Sequence, residues 1–239
     1  MRNLIFFDTE TTGINEQDRL CQLAYKMDGK IFCELYKPPL RIPPEASAVT
    51  HISNKMVADK KAFTESDEYE KIKNLFEDDK NIVVAHNAKF DVAMLAKEGI
   101  NPKKIICTLR VARALDKENK IPQHKLQYLR YYLEIEIEAQ AHDALGDVLV
   151  MEKLFDRLLD AVKKEHKCDD EKALEIMMEI SARPSMMHAF SFGKYSGKTV
   201  AEVAELDRGY LEWFLRQKEE SDPDNEDWIH TLKYHLGML

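Results

Sequence analysis

Residues 3–13, Asn-Leu-Ile-Phe-Phe-Asp-Thr-Glu-Thr-Thr-Gly, place two carboxylates directly after a short apolar run. Such a run, bounded by polar residues, is typical of a buried strand. Because successive side chains of a strand point to opposite faces, Asp8 and Glu10 share one face. Two converging carboxylates repel each other unless a cation neutralises them, and a hard, oxygen-ligated ion such as Mg²⁺ suits them. The stretch therefore predicts a strand that ends in a metal site, with an ordinary turn from Asp8 to Gly13 as the alternative.

The segments that follow predict a mixed α/β sheet. Residues 20–27 and 30–36 are predicted strands, because Asp28-Gly29 between them is a strong signal for a hairpin turn. Residues 81–85 and 105–107 are short apolar runs that predict two more strands. Apolar residues recur at helical spacing in segments near 69–76, 90–96 and 145–162. Strands that are joined by a hairpin and then alternate with helices favour an α/β domain with a mixed central sheet flanked by helices.

A charge-rich break at 163–172 and a change in composition after Arg183-Pro184 divide the chain. We predict three parts: a first domain over 1–165, a linker helix over 166–182 and a small α+β module over 183–239. In that module, residues 190–198 alternate aromatic and polar side chains and contain two glycines, which predicts a hairpin. Two helices are predicted to follow it, over 199–217 and 227–236.

The composition excludes several classes of protein. Hydrophobic residues make up 44% of the chain, which suffices for a full core and excludes collagen-like and disordered chains. The net charge of −8 excludes a generally basic coat for nucleic acid, but not a local basic patch. Four cysteines without a C-x-x-C pair are no disulfide framework. Because no apolar run is long enough for a membrane span or a signal peptide, we expect a cytoplasmic protein.

Two later segments offer partners for Asp8 and Glu10. Asp91 follows the strand predicted at 81–85, and ligand sites form where strands end at one edge of an α/β sheet. His142 and Asp147 lie about 140° apart around a helix, so they share a site best if only Asp147 lies inside the long helix. Taken singly, each has an ordinary alternative: a charge in a first helical turn for Asp91, and a surface or core histidine for His142.

Taken together, the motifs resemble the DEDDh family of 3′–5′ exonucleases. The resemblance is carried by D-T-E-T-T-G, H-N-A-K-F-D and His-x-x-x-x-Asp in this order, and residues 58–60 and 183–215 are similar to the exodeoxyribonuclease X family. It implies a ribonuclease-H-like fold and hydrolysis of DNA from the 3′ end. One departure is that Thr50-His51-Ile52-Ser53 stands where many members have His-Gly-Ile-Thr, so no nucleotide contact is assigned to His51.

The resemblance also implies a role for each site residue. Asp8, Glu10, Asp91 and Asp147 would hold two divalent ions, Mg²⁺ with Mn²⁺ able to substitute, and His142 would be the general base. DNA, as a single strand or as a duplex 3′ end, would be the partner, in repair or end processing. No membrane partner is expected.

Further residues are candidates for contacts with the substrate. Asn87 is expected to donate to a phosphate or sugar, and Gly13 to let the terminal nucleotide approach closely, unless it is only a turn glycine. Ile14 is expected to stack on a base or wedge between strands, with packing in the core as the alternative. Lys194 and Lys198 adjoin glycines in the predicted hairpin, where exposed ammonium groups meet phosphates. Residues 101–133, with eight basic and two acidic side chains, are the expected flank for the DNA backbone, or else a solvated helix face.

Three alternatives stay open from the sequence. The first keeps the chemistry and changes the substrate: an RNA-directed or a proofreading 3′–5′ exonuclease of the same superfamily. The second is a non-catalytic nucleic-acid-binding protein on this fold, which the intact carboxylates and His142 disfavour. The third makes residues 183–239 the main binding module, although seven basic and ten acidic residues there are no basic clamp.

Overall fold

The computed structural model describes residues 3–137, 144–222 and 225–239. Backbone contacts divide the chain into two compact units. The first comprises Met1–Leu115 and Gln123–Ser181, and the second comprises Asp116–Pro122 and Ala182–Leu239. The domain limits drawn from the sequence stay a prediction.

A five-stranded mixed sheet with the order β3-β2-β1-β4-β5 lies at the centre of the first unit. Its strands are β1 (Asn3–Thr11), β2 (Leu20–Met27), β3 (Lys30–Leu35), β4 (Asn81–Ala85) and β5 (Ile105–Cys107). The first three pair antiparallel, while β4 pairs parallel with β1 and with β5. The predicted hairpin, strands and mixed sheet are therefore confirmed.

Seven helices of the described residues surround this sheet. They are α1 (Pro44–Thr50), α2 (Tyr69–Glu77), α3 (Ala88–Lys97), α4 (Thr108–Leu115), α5 (Leu126–Tyr132), α6 (Ala144–His166) and α7 (Asp170–Ser181). The alternation of β1 sets the two layers. The ring of Phe6 packs 5.2 Å from that of Phe155 on α6, and the ring of its neighbour Phe7 packs 5.2 Å from that of Phe76 on α2. The predicted α/β class, a mixed sheet flanked by helices, is confirmed.

Helix α7, which covers most of the predicted linker, packs within the first unit. Its apolar residues Ala173, Leu174 and Met177 are buried. At its end, the Ser181 hydroxyl accepts from the backbone N–H of Cys107 at 2.8 Å, and the Ser181 carbonyl accepts from the Arg110 guanidinium at 2.7 Å. Hydrogen bonds and apolar burial thus tie this helix to β5 and α4.

The second unit contains α8 (Val200–Leu206), α9 (Arg208–Ser221) and α10 (Glu226–Leu236) around an aromatic core centred on Phe190. The hairpin predicted at 190–198 is confirmed only in its antiparallel return: one bridge joins Ala189 and Thr199, the N–H of Phe190 donates to the carbonyl of Lys198 at 2.9 Å, and a 3-10 turn replaces regular strands between them. The helix predicted over 199–217 is interrupted at Asp207, because that side chain accepts from the N–H of Tyr210 and starts a new helix. No helix in the described parts of either unit is long and apolar enough to cross a bilayer.

Candidate active site

The carboxyl-terminal half of β1 extends past the end of its neighbour β4. Pairing between the two strands ends at Phe6 and Val84, whereas β1 stays paired with β2 as far as its own end. Asp8 and Glu10 lie in this extension, with the same parity as Phe6, whose ring contacts α6. The two carboxylates therefore share one face of the sheet, as the sequence predicts, and this face is the α6 side.

Asp91 reaches this extension from α3, which begins directly after β4. Its Oδ1 accepts from the backbone N–H of Thr9 at 3.1 Å and from the Thr9 hydroxyl at 2.7 Å. The side chain is only 3% exposed. An ordinary charged residue in the first turn of a helix is exposed to solvent. Asp91 instead is buried and binds Thr9, the residue between Asp8 and Glu10.

Asp147 lies in the first turn of α6 and acts electrostatically on Asp91. Burial raises the pKa of Asp91 to about 7, the negative charge of Asp147 adds to this, and the hydrogen bonds from Thr9 oppose it. The structure thus brings β1, α3 and α6 together at one end of the sheet. Like charges held together in a buried place are what a divalent cation stabilises.

Side chains that the sequence did not single out hold this arrangement. Thr9 holds Asp91, and the amide of Gln127 on α5 donates to Oδ1 of Asp147 at 2.5 Å. Gln22 of β2 accepts from the N–H of Ala144, where α6 begins, at 3.4 Å. Strand alternation offered a signal for Thr9, whereas no local pattern links Gln127 to a helix that starts many residues later.

The donor set fits a divalent metal ion in chemistry. Four carboxylates would supply hard oxygen ligands, and a cation would offset the cost of burying the charge of Asp91 next to that of Asp147. Within 3–137, 144–222 and 225–239, no three His, Cys, Asp or Glu side chains converge closely enough to hold an ion as they stand. Asp91 and Asp147 are turned instead towards Thr9 and Gln127. His142 lies outside the described residues, so its role stays a prediction.

The loop after β1 exposes Ile14. Its side chain is 81% exposed, so packing of Ile14 in the core is wrong. Gly13 has a φ of +157°, and a Cβ there would lie 2.6 Å from the Asp18 carboxylate. That carboxylate accepts from the Thr12 hydroxyl and from the N–H of Asn15, both at 2.7 Å. A Cβ at position 13 would therefore push the Asp18 side chain out of these hydrogen bonds, which favours a glycine in this turn.

The other residues predicted to contact the substrate differ in their exposure and in the partners that they already have. Asn87 is exposed in a left-handed conformation with a φ of +67°, and its side chain makes no capping bond to α3. In the second unit, the Lys194 ammonium already pairs with Asp207 at 3.0 Å and lies 4.7 Å from the centre of the Tyr195 ring. Lys198 is exposed.

The basic segment 101–133 does not form one flank. Lys103 pairs at 3.0 Å with Asp79, which precedes β4, whereas Asp91 follows that strand. Arg130 is 9% exposed and donates to the carbonyl of Ile137 at 2.6 Å. Lys103 and Arg130 are therefore engaged on different elements, one beside the start of β4 and one on α5.

Two parts of the chain match known protein families. A sequence model described as exonuclease matches residues 5–155, and one described as exodeoxyribonuclease X-like C-terminal matches residues 190–219. The chain belongs to the exonuclease family. Membership of this family makes the protein a nuclease, which is a kind of hydrolase. Enzymes of this family generally use divalent metal ions.

Relatives of the exonuclease family cover nearly the whole chain. Exodeoxyribonuclease 10 of Escherichia coli K12 is 32% identical over 98% of both chains. A solved structure of exonuclease X in complex with 5′ overhanging duplex DNA is 25% identical, with a TM-score of 0.57, over 74% of this chain and 99% of that one. NrnC of Brucella melitensis with bound Mg²⁺ is 18% identical, with a TM-score of 0.50, over 75% of this chain and 82% of that one. These likenesses confirm the predicted ribonuclease-H-like exonuclease fold.

The elevated pKa of Asp91 predicts how stability depends on pH without metal. Between its ordinary pKa of 3.8 and about 7, the unfolded chain has lost this proton and the folded chain keeps it, so stability falls as pH rises. In EDTA, Asp91→Asn should therefore raise the melting temperature at pH 8 and change it little at pH 4. Since one pKa unit corresponds to about 1.4 kcal/mol, we expect a gain of a few kcal/mol at pH 8.

Thermal unfolding followed by circular dichroism at several pH values measures this effect. Asp28→Asn is the matched control, because Asp28 is exposed in a turn whose positive φ suits asparagine. A gain for Asp91→Asn that is equal at pH 4 and pH 8 would contradict the burial argument.

Proposed function

We propose that this exonuclease is a metal-dependent 3′–5′ exodeoxyribonuclease that acts in DNA repair or end processing. The observation that carries the proposal is the junction of β1, α3 and α6 at one end of the sheet, where Thr9 binds the Asp91 carboxylate and the charge of Asp147 acts on it. Exodeoxyribonuclease 10, a relative along the whole chain, supports DNA as the substrate. The match of residues 190–219 to an exodeoxyribonuclease X-like C-terminal region disfavours a bare proofreading domain.

The site residues divide the chemistry between them. Two divalent ions, Mg²⁺ or Mn²⁺, supply activation of the attacking water and stabilisation of the leaving 3′ oxygen. Asp8 would be shared by both ions, with Glu10 and Asp147 completing one site and Asp91 the other. His142 would take the proton of the attacking water, since a neutral imidazole accepts protons near physiological pH.

Residues outside the ligand set would seat the DNA. Asn87 lies next to α3 with an exposed amide, and Ile14 projects from the loop that follows the two β1 carboxylates. In the second unit, Lys198 is open to a phosphate, whereas Lys194 must first leave Asp207. We propose that this unit carries no chemistry, because every assigned ligand and the assigned base belong to the first unit.

Removal of the shared ligand tests the chemistry. Asp8→Ala should abolish Mg²⁺-dependent release of mononucleotides from DNA 3′ ends while the protein stays folded. Ladders from 3′- and 5′-labelled DNA and RNA, with Mg²⁺ or EDTA, give both the polarity and the substrate. Asp67→Ala is the control, because it removes the carboxylate of an exposed aspartate that is not among the assigned ligands. Strong activity in EDTA or in folded Asp8→Ala would reject the two-metal mechanism.

If His142 is the general base, its removal should affect turnover but not metal binding. His142→Ala should lower kcat by about 10²–10⁴-fold, the usual range for general acid–base catalysis, and leave Mn²⁺ affinity nearly unchanged. Calorimetric titration with Mn²⁺ and steady-state kinetics measure the two quantities. His51→Ala, an exposed histidine, should change neither. A loss of Mn²⁺ affinity as large as that of Asp147→Ala would make His142 a ligand instead.

The exposed Ile14 is expected to act on paired ends. Ile14→Ala should slow digestion of blunt duplex DNA more than digestion of single strands, since it removes an apolar surface that stacks on a base or separates the strands. The ratio of the two initial rates is the measurement. Ile31→Ala is the control, because Ile31 is also exposed, at 52%, but lies on β3. Equal slowing on both substrates would refute a wedge.

A further inference from the structure

We propose that Gln127 is a positioning residue for the active site, which holds the Asp147 carboxylate in the orientation that a divalent ion needs. This inference rests on the proposed metal-dependent function and adds to it a side chain outside the assigned ligand set. The contact crosses between two helices, from α5 to the first turn of α6. It therefore fixes Asp147 against a neighbouring element rather than within its own helix.

The hydrogen bond is direct and engages a charged group. The Nε2 of Gln127 donates to Oδ1 of Asp147 at 2.5 Å. Both side chains are partly buried, and hydrogen bonds to an ionised acceptor are stronger than those between neutral groups. A contact of this kind limits rotation of the carboxylate about its side-chain torsion.

Arg130 decides which way the Gln127 amide points. Its guanidinium donates to Oε1 of Gln127 at 3.5 Å, and a guanidinium has no acceptor. The amide oxygen of Gln127 therefore faces Arg130, and its NH₂ group faces Asp147. Arg130 is itself held, because it is 9% exposed and its second nitrogen donates to the carbonyl of Ile137.

The start of α5 is anchored to the sheet close to the same site. The Nε2 of His86, which follows β4, lies 2.8 Å from the carbonyl of His124, and its Nδ1 lies 2.9 Å from the Thr108 hydroxyl. Since a carbonyl only accepts, Nε2 donates to His124, while Nδ1 lies against the Thr108 hydroxyl, which also reaches the Ala85 carbonyl at 3.3 Å. The segment that leads into Gln127 is thus tied to the strand end that also leads to Asp91.

The choice of an amide has an electrostatic consequence. A lysine or arginine at this place would orient Asp147 but would also neutralise the charge that attracts a divalent ion. Gln127 orients the carboxylate and leaves its charge in place. Carboxylates that bind metals are commonly held by such outer partners, whose loss costs about 10–100-fold in metal affinity or activity.

Variants at position 127 distinguish the hydrogen bond from packing. Gln127→Met keeps the approximate length and volume and removes the donor, whereas Gln127→Ala removes both. Gln123→Met is the matched control, because Gln123 is exposed just before α5. For each full-length protein, calorimetry without DNA gives Mn²⁺ affinity, circular dichroism gives the melting temperature, and kinetics give the Mg²⁺ concentration for half-maximal rate.

We expect Gln127→Met and Gln127→Ala to weaken Mn²⁺ binding to a similar extent, about 10–100-fold, and to raise the half-saturating Mg²⁺ concentration in parallel. Gln123→Met should match the unmodified protein. Unchanged Mn²⁺ affinity in folded Gln127→Met, a defect confined to Gln127→Ala, or failure of Gln127→Met to fold would overturn the positioning role. If the unmodified protein binds no Mn²⁺ in the titration and cleaves DNA in EDTA, the proposed function itself fails, and both measurements precede any comparison of variants.

Discussion

The two hydrogen bonds from Thr9 to Asp91 are the interaction on which the site depends. They join the end of β1 to the beginning of α3, past the point where β1 and β4 stop pairing. Strand alternation then orients the two acids next to Thr9, because the side chains of Asp8 and Glu10 lie on the face opposite to that of Thr9. One residue type at one position thus sets which acids share the edge of the sheet.

Much of this arrangement could be predicted from the sequence. The apolar run before Asp8 and the Asp28-Gly29 turn are local signals, and both led to the correct strands. Asp91 could be placed because parallel strands end at a common edge. Each of these features could be predicted because a few neighbouring residues encode it.

The features that were missed or wrong depend on contacts between distant parts of the chain. Gln127 on α5 donates to Asp147 on α6, and no pattern in the sequence around either residue indicates that these two helices lie next to each other. Basic residues that are close in the segment 101–133 separate onto different elements, so a charge count could not place them. In the second unit, Asp207 starts a new helix and also binds Lys194 and Tyr195 of the predicted hairpin, contacts that the local sequence pattern does not reveal.

The loop that carries Ile14 is ordered before any substrate arrives. Asp18 receives hydrogen bonds from Thr12 and Asn15, and the Lys97 ammonium donates to the carbonyl of Asn15 at 2.7 Å. Burial favours a higher pKa for Asp18, but these hydrogen bonds and the charge of Lys97 outweigh it and lower the pKa. The Asp18 carboxylate therefore keeps its negative charge to a lower pH than an ordinary aspartate does. A binding partner of Ile14 meets a surface whose conformational entropy was already lost on folding, so that little ordering of the loop is subtracted from the affinity.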